Sequence, residues 1–190
     1  MNCQLVCVPS DYWLSSSQER VEYDLHENDL SDAGYRRFLS RIFNPVQKLL
    51  PDSASGLDFG CGPAPALADM FSSAGHSMAL YDKFYADDKS VLEASYDFVT
   101  ASEVVEHLQQ PKDTLIQLWQ CVRPGGYLAI MTKRWISQER FANWHYKNDP
   151  THVVFFHLVT FMWLAAHLNG RLTVWSDDVV IMRKPLASIE

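Results

Sequence analysis

An α/β fold, with a mostly parallel sheet, helices on both faces and an antiparallel C-terminal hairpin, is predicted by three features of the sequence. Between residues 57 and 132, short apolar runs that read as strands alternate with stretches of helical spacing. Short turns connect them, as in a parallel sheet buried on both faces. Finally, the runs Arg171–Trp175 and Val179–Arg183 are separated only by a Ser-Asp-Asp turn and read as an antiparallel pair closing one edge.

Residues 1–30 are polar and aromatic without sustained periodicity, and read as an extension wrapped around the domain. From Asp32, a cap, the residues Tyr35, Phe38, Leu39, Ile42 and Val46 follow helical spacing, with a break expected at Asn44-Pro45 before Leu49 and Leu50 continue the stripe. Leu57–Phe59 is the first core strand. Ala64–Ala74 is a helix with Leu67, Met70 and Phe71 on one face, ended by Gly75. Met78–Tyr81 and Tyr96–Ala101 are the next strands, ending at Asp82 and at Ser102-Glu103. Pro111 opens a helix, Arg123-Pro-Gly-Gly126 is expected to turn, and Tyr127–Thr132 is a further strand. Phe161, Leu164, Ala165 and Leu168 mark the last helix, closed by Gly170.

A chain of 190 residues with 47% hydrophobic content can bury a sizeable core and favours one domain over two. The net charge of -7 provides no basic footprint for nucleic acid or an anionic membrane. No apolar run approaches the roughly 20 residues needed to span a bilayer, and no signal-peptide pattern opens the chain. A cytoplasmic location is therefore expected. The four cysteines, Cys3, Cys7, Cys61 and Cys121, are too scattered for a disulfide framework and are expected as reduced thiols; Cys3 and Cys7 have a spacing unusual for zinc, so no metal is expected. Oligomeric state is not legible.

The stretch GLDFGCGPAP, Gly56–Pro65, runs a buried strand into a glycine turn. In open parallel α/β sheets ligands sit beyond the carboxyl ends of the strands, where Asp58, Gly60, Gly62, Asp82 and Ser102-Glu103 all fall. Glycine lets the backbone approach a ligand without a Cβ in the way. A dinucleotide fingerprint wants glycine at the sixth position of the turn, and Pro65 stands there; a carboxylate at Asp58 also disfavours a nearby pyrophosphate and suits an ammonium group. No Gly-Lys-Ser/Thr follows, which excludes a P-loop.

LDFGCGPAP resembles motif I of class I S-adenosylmethionine-dependent methyltransferases, whose acidic residue and Gly-x-Gly turn take the methionine end of the cofactor. Asp82, closing ALYD, resembles that family's ribose-binding acid; residues 96–108 and 123–132 resemble its fourth strand and the segment entering its fifth. The likeness spans about Gly56–Lys184 and is nearest to bacterial small-molecule enzymes sharing W-x-Y-x-x-D-P-T-H, here Trp144–His152. It implies a Rossmann-like fold. The chain is expected to be a single methyltransferase domain, with residues 1–50 covering the site and 51–190 forming the cofactor-binding core. S-adenosyl-L-methionine is the implied cofactor and a small molecule the implied methyl acceptor. Asp58, Gly60, Cys61, Gly62, Asp82, Lys83, Ser102 and Glu103 are its expected binding residues. Two departures stand out. Ala64 replaces a third glycine, and the segment between Asp82 and Tyr96 is short where many relatives hold a helix and a third strand; Asp87-Asp88 is the candidate for the adenine side.

Methyl transfer from a sulfonium is an in-line displacement that depends on positioning, with a base needed only for a protonated acceptor. Histidine is the first choice, and His107, His152 and His26 are the candidates, each weighed against a merely structural place. Glu103 either contacts a ligand or caps the following helix. Trp135, Trp144, Tyr146, Phe155 and Phe156 are expected mainly as core, and Tyr23 and His26 as residues that close over the site or simply lie on the surface. A non-catalytic cofactor-binding subunit and an NAD-dependent oxidoreductase are the alternatives.

Overall fold

A computed structural model describes residues 3–25 and 29–187. Among the described residues, eight strands and six α-helices follow one another as β1 (Val6–Cys7), α1 (Ser16–Asp24), α2 (Ala33–Gln47), β2 (Ser55–Phe59), α3 (Ala66–Ser73), β3 (Ser77–Tyr81), β4 (Tyr96–Ser102), α4 (Pro111–Cys121), β5 (Val122–Met131), α5 (Gln138–Ala142), β6 (Val154–Phe155), α6 (Leu158–His167), β7 (Arg171–Val174) and β8 (Val179–Arg183). The main sheet runs β3-β2-β4-β5-β8-β7. The first four of these strands are mutually parallel, and β8 joins β5 and β7 antiparallel, so the expected C-terminal hairpin is present. β1 and β6 form a separate two-stranded ribbon.

Alternation along the strands assigns side chains to two cores. Val99, Leu128, Ile130, Val180 and Met182 face one layer with Leu118 of α4 and Phe161 and Leu164 of α6. Phe98, Ala129, Met131, Val179 and Ile181 face the other with Leu39 and Ile42 of α2 and Leu67 and Phe71 of α3. β4, β5 and β8 are thus apolar on both sides, as a sheet sandwiched by helices requires. The chain order reverses across β2, whose neighbours are β3 and β4. That reversal opens a crevice above the carboxyl ends of these strands.

Two local expectations are corrected. Pro45 does not break the helix: α2 continues to Gln47, because Pro45 and Val46 are buried beside Ile42 and the missing N–H falls in the last turn, where one lost bond is outweighed by that packing. Arg123-Pro-Gly-Gly126 is not a separate turn but part of β5. The register with β4 slips between Tyr96 and Phe98 to absorb it, and a Cβ on Gly126 would stand 2.4 Å from the Asp97 carbonyl oxygen. The extension, expected without periodic structure, contains α1, which is started by a capping box in which Ser15 and Gln18 exchange hydrogen bonds.

Candidate active site

Gly60 and Gly62 follow β2 with φ of 73° and 65°. The two glycines answer different needs. A Cβ at Gly60 would lie 2.3 Å from Val104 Cγ2, whereas one at Gly62 would meet nothing within 4 Å, so backbone faces open space there. Tyr81, ending β3, accepts the N–H groups of Gly60 (2.8 Å) and Cys61 (3.2 Å). Asp82 then locks the turn: one carboxylate oxygen accepts from Gly62 N at 3.0 Å, the other from Phe84 N at 2.8 Å and Tyr85 N at 3.2 Å.

Above this floor lies a cavity of about 630 Å³, within the usual size of small-ligand sites. Gly60, Cys61, Gly62, Asp82, Lys83, Ser102, Glu103, His107 and His152 all line it. Asp58 does not. It lies beneath the turn, 3% exposed, accepting the Thr100 hydroxyl at 2.8 Å and the backbone N–H of Ala68 in the first turns of α3. Burial pushes its carboxyl up to about 7. His26 lies outside the described residues, and neither Asp87 nor Asp88 is on the cavity wall; Asp88 caps the short helical turn Lys89–Leu92.

Glu103 sits at the end of β4 with φ of 50°, and one of its oxygens is buried without a partner among the described residues. Burial and the nearby Glu106 carboxylate push it up to about 8. The next helical turn, Val105–His107, has Val104 at its cap position and no side-chain cap, so the capping alternative for Glu103 is corrected: Glu103 lies one residue before that position, in a left-handed backbone conformation. Lys83 lines the wall while its ammonium pairs with Glu19 of α1 at 2.6 Å. Tyr23, also from α1, reaches the cavity, packs edge-on against His107 and donates its hydroxyl to Glu19 at 2.8 Å.

The two histidines meet at a tilt of 57°, ring centroids 4.8 Å apart. His107 Nδ1 faces the Thr151 carbonyl at 3.1 Å and His152 Nδ1 the Tyr146 carbonyl at 2.6 Å. A carbonyl only accepts, so each Nδ1 carries the proton and each Nε2 offers a lone pair. Burial lowers both pKa values below the ordinary imidazole value, which holds the rings neutral. Glu106, 1% exposed, accepts the Tyr146 hydroxyl on one oxygen, and burial raises its pKa.

Glu106, Tyr146, Lys133 and Asp149 are wall residues that the sequence reading missed or assigned to packing. Two signals pointed to them. Glu106 directly precedes His107, and Tyr146 and Asp149 both lie within the W-x-Y-x-x-D-P-T-H segment. Of the aromatic stretch, Phe155 and Phe156 are core as expected.

A family profile described as a methyltransferase domain matches residues 30–173 of this chain. The chain belongs to that family. Membership removes the NAD-dependent reading and agrees with the fold of the solved neighbours. Among these, a 1,6-didemethyltoxoflavin-N1-methyltransferase of Burkholderia thailandensis, solved with its substrate and S-adenosylhomocysteine, superimposes with a TM-score of 0.61 at 14% identity, covering 97% of each chain. A SAM-dependent methyltransferase of Archaeoglobus fulgidus gives 0.60 at 16% identity, over 78% of this chain and 94% of that one. The mitochondrial ubiquinone biosynthesis O-methyltransferase of Schizosaccharomyces pombe is 44% identical over 43 residues, which are 23% of this chain and 16% of that protein. Among the described residues of this methyltransferase-family chain, no helix is long and apolar enough to cross a membrane.

Proposed function

We propose that this chain transfers the methyl group of S-adenosylmethionine to a small-molecule acceptor, as one unit in which residues 1–50 cover the site and 51–190 form the cofactor-binding core. One observation carries the reading. The Gly60–Gly62 turn and Asp82, at the ends of β2 and β3, share a cavity with the neutral His107 and His152 pair reached beyond β4. The cofactor would occupy the β2–β3 end, with its ribose hydroxyls donating to the remaining lone pairs of Asp82 and its methionine end over Gly62. The acceptor would occupy the β4–β5 end, among Glu103, Glu106, Tyr146 and the histidines. The acceptor's lone pair forms the bond to the methyl carbon as the carbon–sulfur bond breaks, and an acceptor proton passes to Nε2 of His107 or His152. Asp58 supports this from below, holding the turn and α3 without touching the ligand.

Finer features follow the same reading. Asp149 accepts from Thr151 N at 2.9 Å and its hydroxyl at 2.5 Å, so the W-x-Y-x-x-D-P-T-H segment builds a tight turn that presents His152; this supports membership of the bacterial subgroup sharing it. The free thiols of Cys3, Cys7, Cys61 and Cys121 support a cytoplasmic location. A small acceptor is supported by the cavity volume and by likeness to the Burkholderia enzyme with its bound substrate.

Calorimetric titration tests the cofactor assignment. S-adenosylhomocysteine should bind and NAD should not, and Asp82→Ala should weaken binding by roughly 1.5–3 kcal/mol. Preferential NAD binding, or unchanged affinity in the variant, removes this assignment. The short 83–95 segment favours a second reading, a non-catalytic cofactor-binding subunit. It is selected if no fraction of cell extract supports demethylation of the cofactor.

A further inference from the structure

We propose that Glu106, His107 and His152 form a binding site for one divalent transition-metal ion. One ligating atom from each of these three residues lies within 4.8 Å of the other two. Ligands about 2.0–2.2 Å from a common ion stand roughly 3–4 Å apart, so small side-chain rotations close the remaining gap.

Three further observations point the same way. Both imidazoles turn Nδ1 to a backbone carbonyl, Thr151 O for His107 and Tyr146 O for His152. That is the outer-shell arrangement that fixes the Nε2-ligating tautomer of metal-binding histidines. Second, Glu106 uses one oxygen to accept the Tyr146 hydroxyl, while its other oxygen is buried with no partner among the described residues. Third, two imidazoles held neutral and a buried carboxylate stand within reach of one another, a costly grouping unless a cation or protons join it.

The surrounding charges leave that role open. Lys83 is committed to Glu19 at 2.6 Å, and Lys133 lies over the Tyr146 ring at 5.3 Å. Asp149 lies 3.8 Å from His152 Nε2, and Glu103 contributes a second buried, unpartnered oxygen. Two imidazoles and one carboxylate suit Mn²⁺, Fe²⁺, Co²⁺ or Zn²⁺ better than Mg²⁺ or Ca²⁺, and three protein ligands leave coordination positions free. With the ion bound, the Nε2 lone pairs no longer serve as bases. An acceptor oxygen or nitrogen would then be activated at the free positions. The site itself does not rest on methyl transfer.

Chelator-treated full-length protein titrated with Co²⁺ tests the site through visible d–d absorption. One saturable equivalent is expected, its affinity reduced at least tenfold in Glu106→Gln and in the His107→Ala/His152→Ala double variant, and unchanged in His167→Ala. Should Glu106→Gln fail to fold, the histidine variant decides. Absence of saturable binding in the wild type, or equal affinity in the histidine variant, overturns the proposal.

Discussion

Gly60 and Gly62 show how one residue type meets two different demands within three positions. At Gly60 the positive φ coincides with Val104 Cγ2 standing where a Cβ would go, while at Gly62 only the backbone conformation is at stake. Gly60→Ala is therefore expected to cost about 2–4 kcal/mol of folding stability, combining left-handed strain with overpacking, and Gly62→Ala only about 1–2 kcal/mol. Urea unfolding of the two variants measures this, and equal costs would refute the contrast. Ligand binding should reverse the order of severity relative to stability, since a methyl at Gly62 projects into the open cavity.

Elements were legible where a period repeats and illegible where it has no room to. β2, β4 and β5 read as apolar runs because both their faces are buried, and α3 as a stripe ended by Gly75, which takes φ of 97°. β1 and β6, of two residues each, carry no period. α1 was missed because it buries only Glu19. Its capping signature, Ser15 with Gln18 three residues on, was readable; the ties that hold it were not, since Glu19–Lys83 and Asp24–Tyr85 join residues more than sixty positions apart. Glu19→Gln is expected to speed amide hydrogen exchange in residues 16–24 about five- to tenfold and leave β2, β4 and β5 unchanged. Uniform acceleration across the sheet would mean that α1 is not an independently opening unit.

For the whole molecule, the general position of the site was legible because strand ends and a glycine turn announce it, but its depth was not. Asp58 is expected from the sequence to touch the cofactor and Glu106 has no expected role, yet the first supports the floor from behind and the second sits buried in the wall. Burial has a cost that depends on pH. Asp58 shifts from 3.8 to about 7 on folding, so between these values the native state holds a proton that the unfolded chain has lost, and stability falls as pH rises. The loss levels off about one pH unit above the folded value. Asp58→Asn removes this contribution, so the wild type should lose roughly 4 kcal/mol relative to the variant between pH 4 and pH 8. Parallel stability curves from denaturant unfolding would show that Asp58 does not titrate this way.

The roof of the cavity is fastened differently from its floor. Tyr23 and the rest of α1 are held by Glu19–Lys83, Tyr85–Asp24 and ring contacts, with no large apolar side chain of the helix fully buried. Lys83 and the Asp24–Tyr85 pair are partly open to solvent, so dissolved ions can compete for them. Salt is thus expected to weaken the hold on α1 before it affects the sheet. Traffic of ligand in and out should quicken with ionic strength at concentrations that leave the folded sheet indifferent, making this cavity a port whose tides are set by electrolyte.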